Sequence, residues 1–209
     1  MEFNLQIKIQ FSLTVKLLPM KTTKILSVIL ILITVFAGCK KDPVTPPNEE
    51  ELITSLILSL QKQGSLIVQN FIFNDPDGSG GITATIDSII IDQAAIYSAK
   101  ITLLNTQVTP ADTISNEVLE EGKNHQFFYQ STPDNVLSGF TYAGDNDADG
   151  NPIGLDFEFA TWNTGGSGNL RITLRHQPNK DGAGVVAGDI TNANGETDIE
   201  VEFPVRLKP

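Results

Sequence analysis

Five oxygen-bearing residues fall at metal-ligand spacing in the segment DNDADGNPIGLD, which covers residues 145–156. Aspartates occupy positions 1, 3, 5 and 12 of this loop, with a glycine at position 6 and an asparagine at position 7. EF-hand loops bind Ca²⁺ with this spacing, and the glycine permits the sharp turn. The alternative is an Asp- and Gly-rich turn that binds no ion. The pattern predicts a structural Ca²⁺ site formed by Asp145, Asp147, Asp149, Asn151 and Asp156.

The chain contains two histidines, His125 and His176. Each lies at the end of a strand-like run and on its apolar face. Imidazole nitrogens bind transition metals and haem iron, so these two side chains are candidate ligands, with Glu120 or Glu121 nearby. The alternative is that both histidines make only local hydrogen bonds at the edge of a core.

The only cysteine, Cys39, ends a segment with the layout of a bacterial lipoprotein signal. Lys21 and Lys24 precede an apolar run at residues 25–36. That run is shorter than the roughly 20 residues of a membrane span and suits a signal-peptide core. Two small residues stand directly before Cys39, as in a lipobox. The segment predicts a diacylglyceryl and palmitoyl lipid on Cys39; the alternatives are a cleaved signal with an incidental cysteine and a tight membrane anchor.

These signals divide the chain into four parts. The signal region begins at Met20, so we expect translation to start there rather than at Met1, with residues 1–19 lying upstream. Residues 20–38 are the predicted signal peptide. Residues 39–51 hold the lipidated cysteine and a charged, proline-rich tether. Residues 52–209 form the predicted folded domain.

Charge and composition exclude several classes of function. The net charge is −11, and four of the 14 basic residues and one of the 25 acidic residues precede Cys39. A chain this acidic does not suit nucleic acid or an anionic membrane surface as partner. The glycine-rich stretches at residues 165–168 and 182–188 lack the context of a phosphate-binding loop. No nucleophile–base set and no pair of catalytic carboxylates stands out, so we predict that the protein is not an enzyme.

Alternation of apolar and polar residues predicts strands through most of the domain. The predicted strands are at residues 52–60, 66–73, 82–92, 96–105, 124–130, 138–143, 154–162, 169–176 and 196–207. A short helix or an irregular connection is predicted within residues 109–122. Because no strong crossover helix separates the strands, the pattern predicts an all-β fold, an Ig-like or Greek-key β-sandwich of about eight or nine strands.

Two hairpins are predicted from short connections. The first joins the runs at residues 52–60 and 66–73. The second joins the runs at residues 154–162 and 169–176, and it would place carboxylates of the first run opposite arginines of the second.

Four segments carry a resemblance to a known family: HQFFY at residues 125–129, DADGNPIGL at 147–155, LRHQPNK at 174–180 and GDITNANGETDI at 188–199. The chain resembles small Bacteroidetes lipoproteins that are often labelled "type 1 periplasmic binding fold superfamily protein". The label implies a two-lobed α/β fold of about twice this length, whereas the strand pattern predicts a sandwich.

The resemblance implies an outer-membrane lipoprotein, on the periplasmic side or the cell surface, beside a TonB-dependent receptor. We therefore expect a non-enzymatic accessory that binds a ligand or partner for an outer-membrane uptake system. The alternative is a structural or adhesive surface module stabilised by calcium.

Overall fold

The computed structural model describes residues 52–78 and 81–209, in which ten strands, one short α-helix and three 3₁₀ turns occur. The strands are β1 (Ser55–Lys62), β2 (Val68–Asn74), β3 (Thr85–Ile86), β4 (Ile89–Asp92), β5 (Ile96–Leu104), β6 (His125–Thr132), β7 (Leu137–Tyr142), β8 (Asp156–Thr161), β9 (Gly166–His176) and β10 (Glu196–Lys208). The helix is α1 (Ile114–Glu120), and the 3₁₀ turns are Gly122–Asn124, Val185–Ala187 and Ile190–Asn192.

The strands form two sheets, of six and four strands. The order is β3-β2-β1-β5-β8-β7 in the larger sheet and β4-β10-β9-β6 in the smaller one. All neighbours are antiparallel except β4 and β10, which run parallel. The predicted all-β sandwich is confirmed.

The core lies between the sheets because apolar residues alternate along each strand. In β10, Ile199, Val201 and Phe203 are buried while the glutamates between them are exposed. The ring of Tyr129 on β6 stacks on Phe157 of β8 with centroids 3.7 Å apart, which joins the two sheets. Such stacking adds to the free energy gained by burying the rings.

The region predicted as one strand at residues 82–92 forms two short strands in different sheets. β3 pairs with β2 in the larger sheet, and β4 pairs with β10 in the smaller one. Asp87 separates them: its amide donates to the Ile72 carbonyl, and its carboxylate accepts from the Ile72 amide at 2.8 Å. The chain then crosses between the sheets, which explains why ten strands form rather than eight or nine.

The first predicted hairpin is confirmed, since β1 pairs with β2. The second is wrong, because β8 belongs to the larger sheet and β9 to the smaller one. The connection at residues 162–165 crosses the sandwich instead of turning back. Each strand finds oppositely charged partners in its own sheet: Asp156 lies 2.9 Å from Lys100, and Arg171 pairs with Glu202.

Two segments close one end of the sandwich around β6. Helix α1 directs Ile114 and Val118 into the main core just before β6 begins. The excursion at residues 177–195, between β9 and β10, packs Val185 and Ala193 against Phe128. The first half of β6 is therefore buried on both faces.

The signal segment, Cys39 and the tether lie outside the described residues, so the lipid on Cys39 stays a prediction. In the described part of the chain, no helix has the length and hydropathy needed to cross a bilayer.

Candidate metal centre

The two histidines face each other across neighbouring strands. His125 begins β6, His176 ends β9, and the register pairs them directly. Both are buried, at 0% and 5% exposure. Nε2 of His125 lies 3.1 Å from Nδ1 of His176. The fold thus brings together two candidate ligands that are 51 residues apart in sequence.

Asp198 supplies a carboxylate to the same place through a β-bulge. The register between β9 and β10 shifts between Thr197 and Ile199, which makes Asp198 the extra residue. Regular alternation with Ile199 would turn Asp198 outward, but a bulge changes the direction of a side chain. The Asp198 side chain is 2% exposed; its oxygens lie 3.6 Å from Nε2 of His125 and 3.7 Å from Nδ1 of His176.

The carbonyl of Glu121 orients the first histidine. Its oxygen lies 3.3 Å from Nδ1 of His125. A carbonyl oxygen only accepts, so this contact favours the tautomer that carries its proton on Nδ1. Nε2 of His125 then accepts a hydrogen bond from Nδ1–H of His176, and a metal ion that binds both nitrogens would replace that proton. A backbone carbonyl behind a ligating imidazole is a common outer contact in metal sites.

The spacing of the three donors fits a single metal ion. Two ligands bound at about 2.0–2.1 Å to a tetrahedral ion stand roughly 3.3 Å apart. The observed N···N distance is 3.1 Å, and the N···O distances exceed the ideal value by a few tenths of an ångström. Two imidazoles and one carboxylate form a donor set used by zinc and by non-haem iron.

A haem group does not fit between the histidines. Two axial imidazoles stand on opposite sides of the iron, so their nitrogens are about 4 Å apart with the iron at the midpoint. The ring nitrogens of His125 and His176 are closer than that and meet at a T-shaped angle of 78°. The pair suits a bare ion.

A pocket adjoins the centre. It has a volume of about 590 Å³, and its lining includes Glu120, Glu121 and Lys123, as well as Asp147, whose carboxylate is paired with Lys180. Glu121 links the pocket to the centre, because its carbonyl oxygen faces His125. The third donor of the centre is thus Asp198, while the two glutamates expected near the histidines line the pocket.

Gly195 permits the close approach of the chain beside His176. It has a φ of +70°, and a β-carbon at this position would lie 2.2 Å from the carbonyl oxygen of His176. Only glycine tolerates such contact together with this conformation. Gly195 is therefore needed for the turn before β10, and that turn positions the candidate metal ligands.

The predicted calcium loop at residues 145–156 binds the ammonium group of Lys180. This ammonium donates to Asp147 at 2.9 Å and to the carbonyls of Gly122 and Pro152 at 2.7 and 3.1 Å. Both side chains of the Lys180–Asp147 pair are buried. Burial lowers the pKa of Lys180 by more than Asp147 raises it. Burial also raises the pKa of Asp147, but bonds from Lys180 and two loop amides outweigh this effect and leave it below its ordinary value.

The other predicted calcium ligands have separate partners. Asp145 accepts from the amide of Leu155 at 2.5 Å, and burial raises the pKa of its carboxyl. Asp149 pairs with Lys123 at 2.8 Å. Asp156 pairs with Lys100, and the backbone amide of Asn151 donates to the Asp147 carboxylate. The carboxylates of the loop thus bond to different partners and do not converge on one point. This geometry favours a loop stabilised by Lys180 over a loop stabilised by calcium.

Within residues 52–78 and 81–209, only one group of three or more His, Cys, Asp or Glu side chains brings its ligand atoms within 4.8 Å of one another: His125, His176 and Asp198. The sequence identified the two histidines as candidates and missed Asp198.

Comparison with protein-family models, with curated proteins and with solved structures finds no match to this chain.

Proposed function

We propose that this chain is a non-enzymatic, lipid-anchored β-sandwich of the cell envelope that binds one divalent transition-metal ion. His125, His176 and Asp198 are the ligands. The observation that carries the proposal is the convergence of these three donors, at metal-ligand spacing, inside one end of the sandwich.

The donor set favours a transition metal over calcium or magnesium. Ca²⁺ and Mg²⁺ take oxygen ligands, whereas two imidazole nitrogens suit Zn²⁺ and its neighbours in the first row. Zn²⁺ is the most direct probe, because two nitrogens and one carboxylate oxygen match its usual ligands.

The burial of the centre supports binding rather than catalysis. A catalytic metal keeps an open coordination position that substrate can reach. The side chains of His125, His176 and Asp198 are between 0% and 7% exposed. We infer that the site binds and retains an ion, and that a cation approaches it from the pocket beside Glu121.

The family resemblance and the predicted lipid on Cys39 support a place at the outer membrane, on its periplasmic side or at the cell surface. A metal-binding lipoprotein there would serve as an accessory to an uptake system, with a TonB-dependent receptor as its partner. The acidic charge supports a cationic ligand.

Zn²⁺ titration of the purified protein tests the proposal. At a free concentration about 100 times the Kd, one bound ion stabilises the fold by about 2.7 kcal/mol, which for a domain of this size is a rise in Tm of about 5–10 °C. We expect this rise together with one zinc per chain by elemental analysis.

Asp198→Asn, His125→Ala and His176→Ala should each abolish most of the rise. Glu196→Gln is the matched control: it removes an exposed carboxylate two residues from Asp198 and should leave the rise intact. A Tm that does not respond to Zn²⁺, or an equal response in wild type and Asp198→Asn, would contradict the proposal.

A further inference from the structure

Five large apolar residues are exposed at the end of the sandwich opposite the metal centre. Leu66, Ile67 and Val68 are 97%, 72% and 53% exposed, and Ile96 and Trp162 are 45% and 44% exposed. We call these five residues the apolar end. Three consecutive exposed apolar residues are unusual on a soluble protein unless they bind something.

Backbone contacts hold the loops of the apolar end together. The amide of Gln63 donates to the carbonyl of Ile96 at 2.9 Å, and the amide of Ala94 donates to that of Trp162 at 3.0 Å. The loops at residues 63–67, 93–95 and 162–165 therefore form one surface.

None of these three loops contains a charged residue, although the whole chain has a net charge of −11. Two lysines stand just behind the surface: Lys62 ends β1 and Lys208 ends β10, both within 3.3 Å of Asp92.

A fourth loop at this end, residues 133–136, carries the exposed Asp134, and the Val136 carbonyl accepts from the Trp162 amide at 3.2 Å. Apolar loops with a tryptophan, and with lysines behind them, have the composition found where proteins meet the boundary between lipid and water.

We propose that the apolar end inserts into the headgroup region of the membrane that holds the predicted lipid anchor. This inference rests on the envelope location in the proposed function. The partner that the apolar end contacts is the lipid bilayer.

The predicted tether has enough residues for the lipid on Cys39 and the apolar end to reach the same bilayer. Residues 40–51 separate Cys39 from the folded domain, and twelve extended residues reach about 40 Å. The domain begins at Leu52, and β1 carries the chain about 26 Å from there to the apolar end. This maximum reach exceeds the length of β1, so the number of residues between Cys39 and the domain permits the apolar end to reach the bilayer that holds the lipid. The metal centre then points away from the membrane.

The fluorescence of Trp162 tests the insertion directly, because it is the only tryptophan in the chain. The lipidated protein is reconstituted into phosphatidylcholine vesicles that carry a nitroxide on the upper acyl chain. We expect a blue-shifted emission, quenching by the nitroxide, and loss of the quenching that aqueous iodide causes in detergent-free solution.

Matched variants identify the residues responsible. Leu66→Ser and Ile67→Ser should each lower the ratio of inserted to free apolar end by about tenfold or more, since each removes one large apolar side chain from the lipid. Ile82→Ser is the control, because Ile82 is 60% exposed beyond the far end of β2. It should leave the quenching unchanged.

The inference is overturned if Trp162 stays accessible to iodide and is not quenched by the nitroxide, or if Ile82→Ser reduces quenching as much as Leu66→Ser. The mass of the N-terminal peptide tests the lipid on Cys39 separately. If that lipid is absent, the same vesicles added to the protein still decide whether Trp162 enters the bilayer, so the two failures are distinguishable.

Discussion

The buried ion pair of Lys180 and Asp147 makes the stability of the domain depend on pH. The pKa of Asp147 lies below its ordinary value in the folded chain. A carboxyl with a lowered pKa adds stability above its unfolded pKa of about 3.9, and that stability is lost as the pH falls through the folded pKa.

Asp147→Asn should therefore lower the free energy of unfolding by about 3 kcal/mol at pH 7, because it leaves the Lys180 ammonium buried without its counter-ion. The difference from wild type should shrink as the pH falls below about 4. Urea unfolding at several pH values measures it. The control is Asp149→Asn, which removes an exposed pair with Lys123 and should cost less than about 1 kcal/mol. A difference that does not change with pH would argue against this role for the ion pair.

Calcium should not stabilise the loop at residues 145–156. Because the Lys180 ammonium already bonds Asp147 and two carbonyls, we expect Ca²⁺ and EGTA to leave the Tm unchanged. A rise of several degrees in Ca²⁺ that disappears in Asp145→Asn would instead support the alternative of a calcium-stabilised surface module.

At the scale of elements, the turn into β10 and the bulge that follows it place the metal centre. Gly195 lies against the backbone of His176, and three residues later the bulge directs Asp198 inward. The position of one ligand and the direction of another thus depend on a single short segment.

Gly195→Ala should destabilise the fold by more than about 2 kcal/mol and weaken Zn²⁺ binding, because its β-carbon would overlap the His176 carbonyl. Gly144→Ala is the control: Gly144 also has a positive φ, of 98°, but open space around it. It should cost about 1 kcal/mol and leave Zn²⁺ affinity unchanged. Chemical denaturation and Zn²⁺ titration of both variants provide the comparison, and equal effects would show that the contact with His176 is unimportant.

The same elements show what the sequence can predict. Alternation predicts nine strand regions and the sandwich, since a buried face imposes a period of two on each strand. It does not reveal the bulge at Asp198, because the inserted residue leaves the alternation after Ile199 intact. Nor does it reveal which sheet receives β9, because the short connection after Trp162 is compatible with a hairpin or a crossing.

The sequence predicts two of the three candidate ligands, His125 and His176, and does not show that they lie together, for a similar reason. Histidines are rare here, so both were visible as candidates, but the pairing of His125 with His176 depends on a register between strands far apart in sequence. The aspartate spacing at residues 145–156 was conspicuous, yet Lys180, which lies well beyond that loop, holds Asp147. Local spacing does not report such tertiary partners.

For the whole molecule, the two ends of the sandwich have different chemistry. One end holds the three candidate metal ligands and the pocket beside Glu121, and the other exposes the five residues of the apolar end. Under the two proposals, the apolar end contacts the membrane and the opposite end binds the ion.

X-ray absorption of the zinc-loaded protein determines whether His125, His176 and Asp198 bind one metal ion. We expect zinc with two imidazole nitrogens and at least one carboxylate oxygen at about 2.0–2.2 Å, and one imidazole in His176→Ala. Zinc bound by oxygen alone, or the same imidazole count in wild type and His176→Ala, would contradict this expectation.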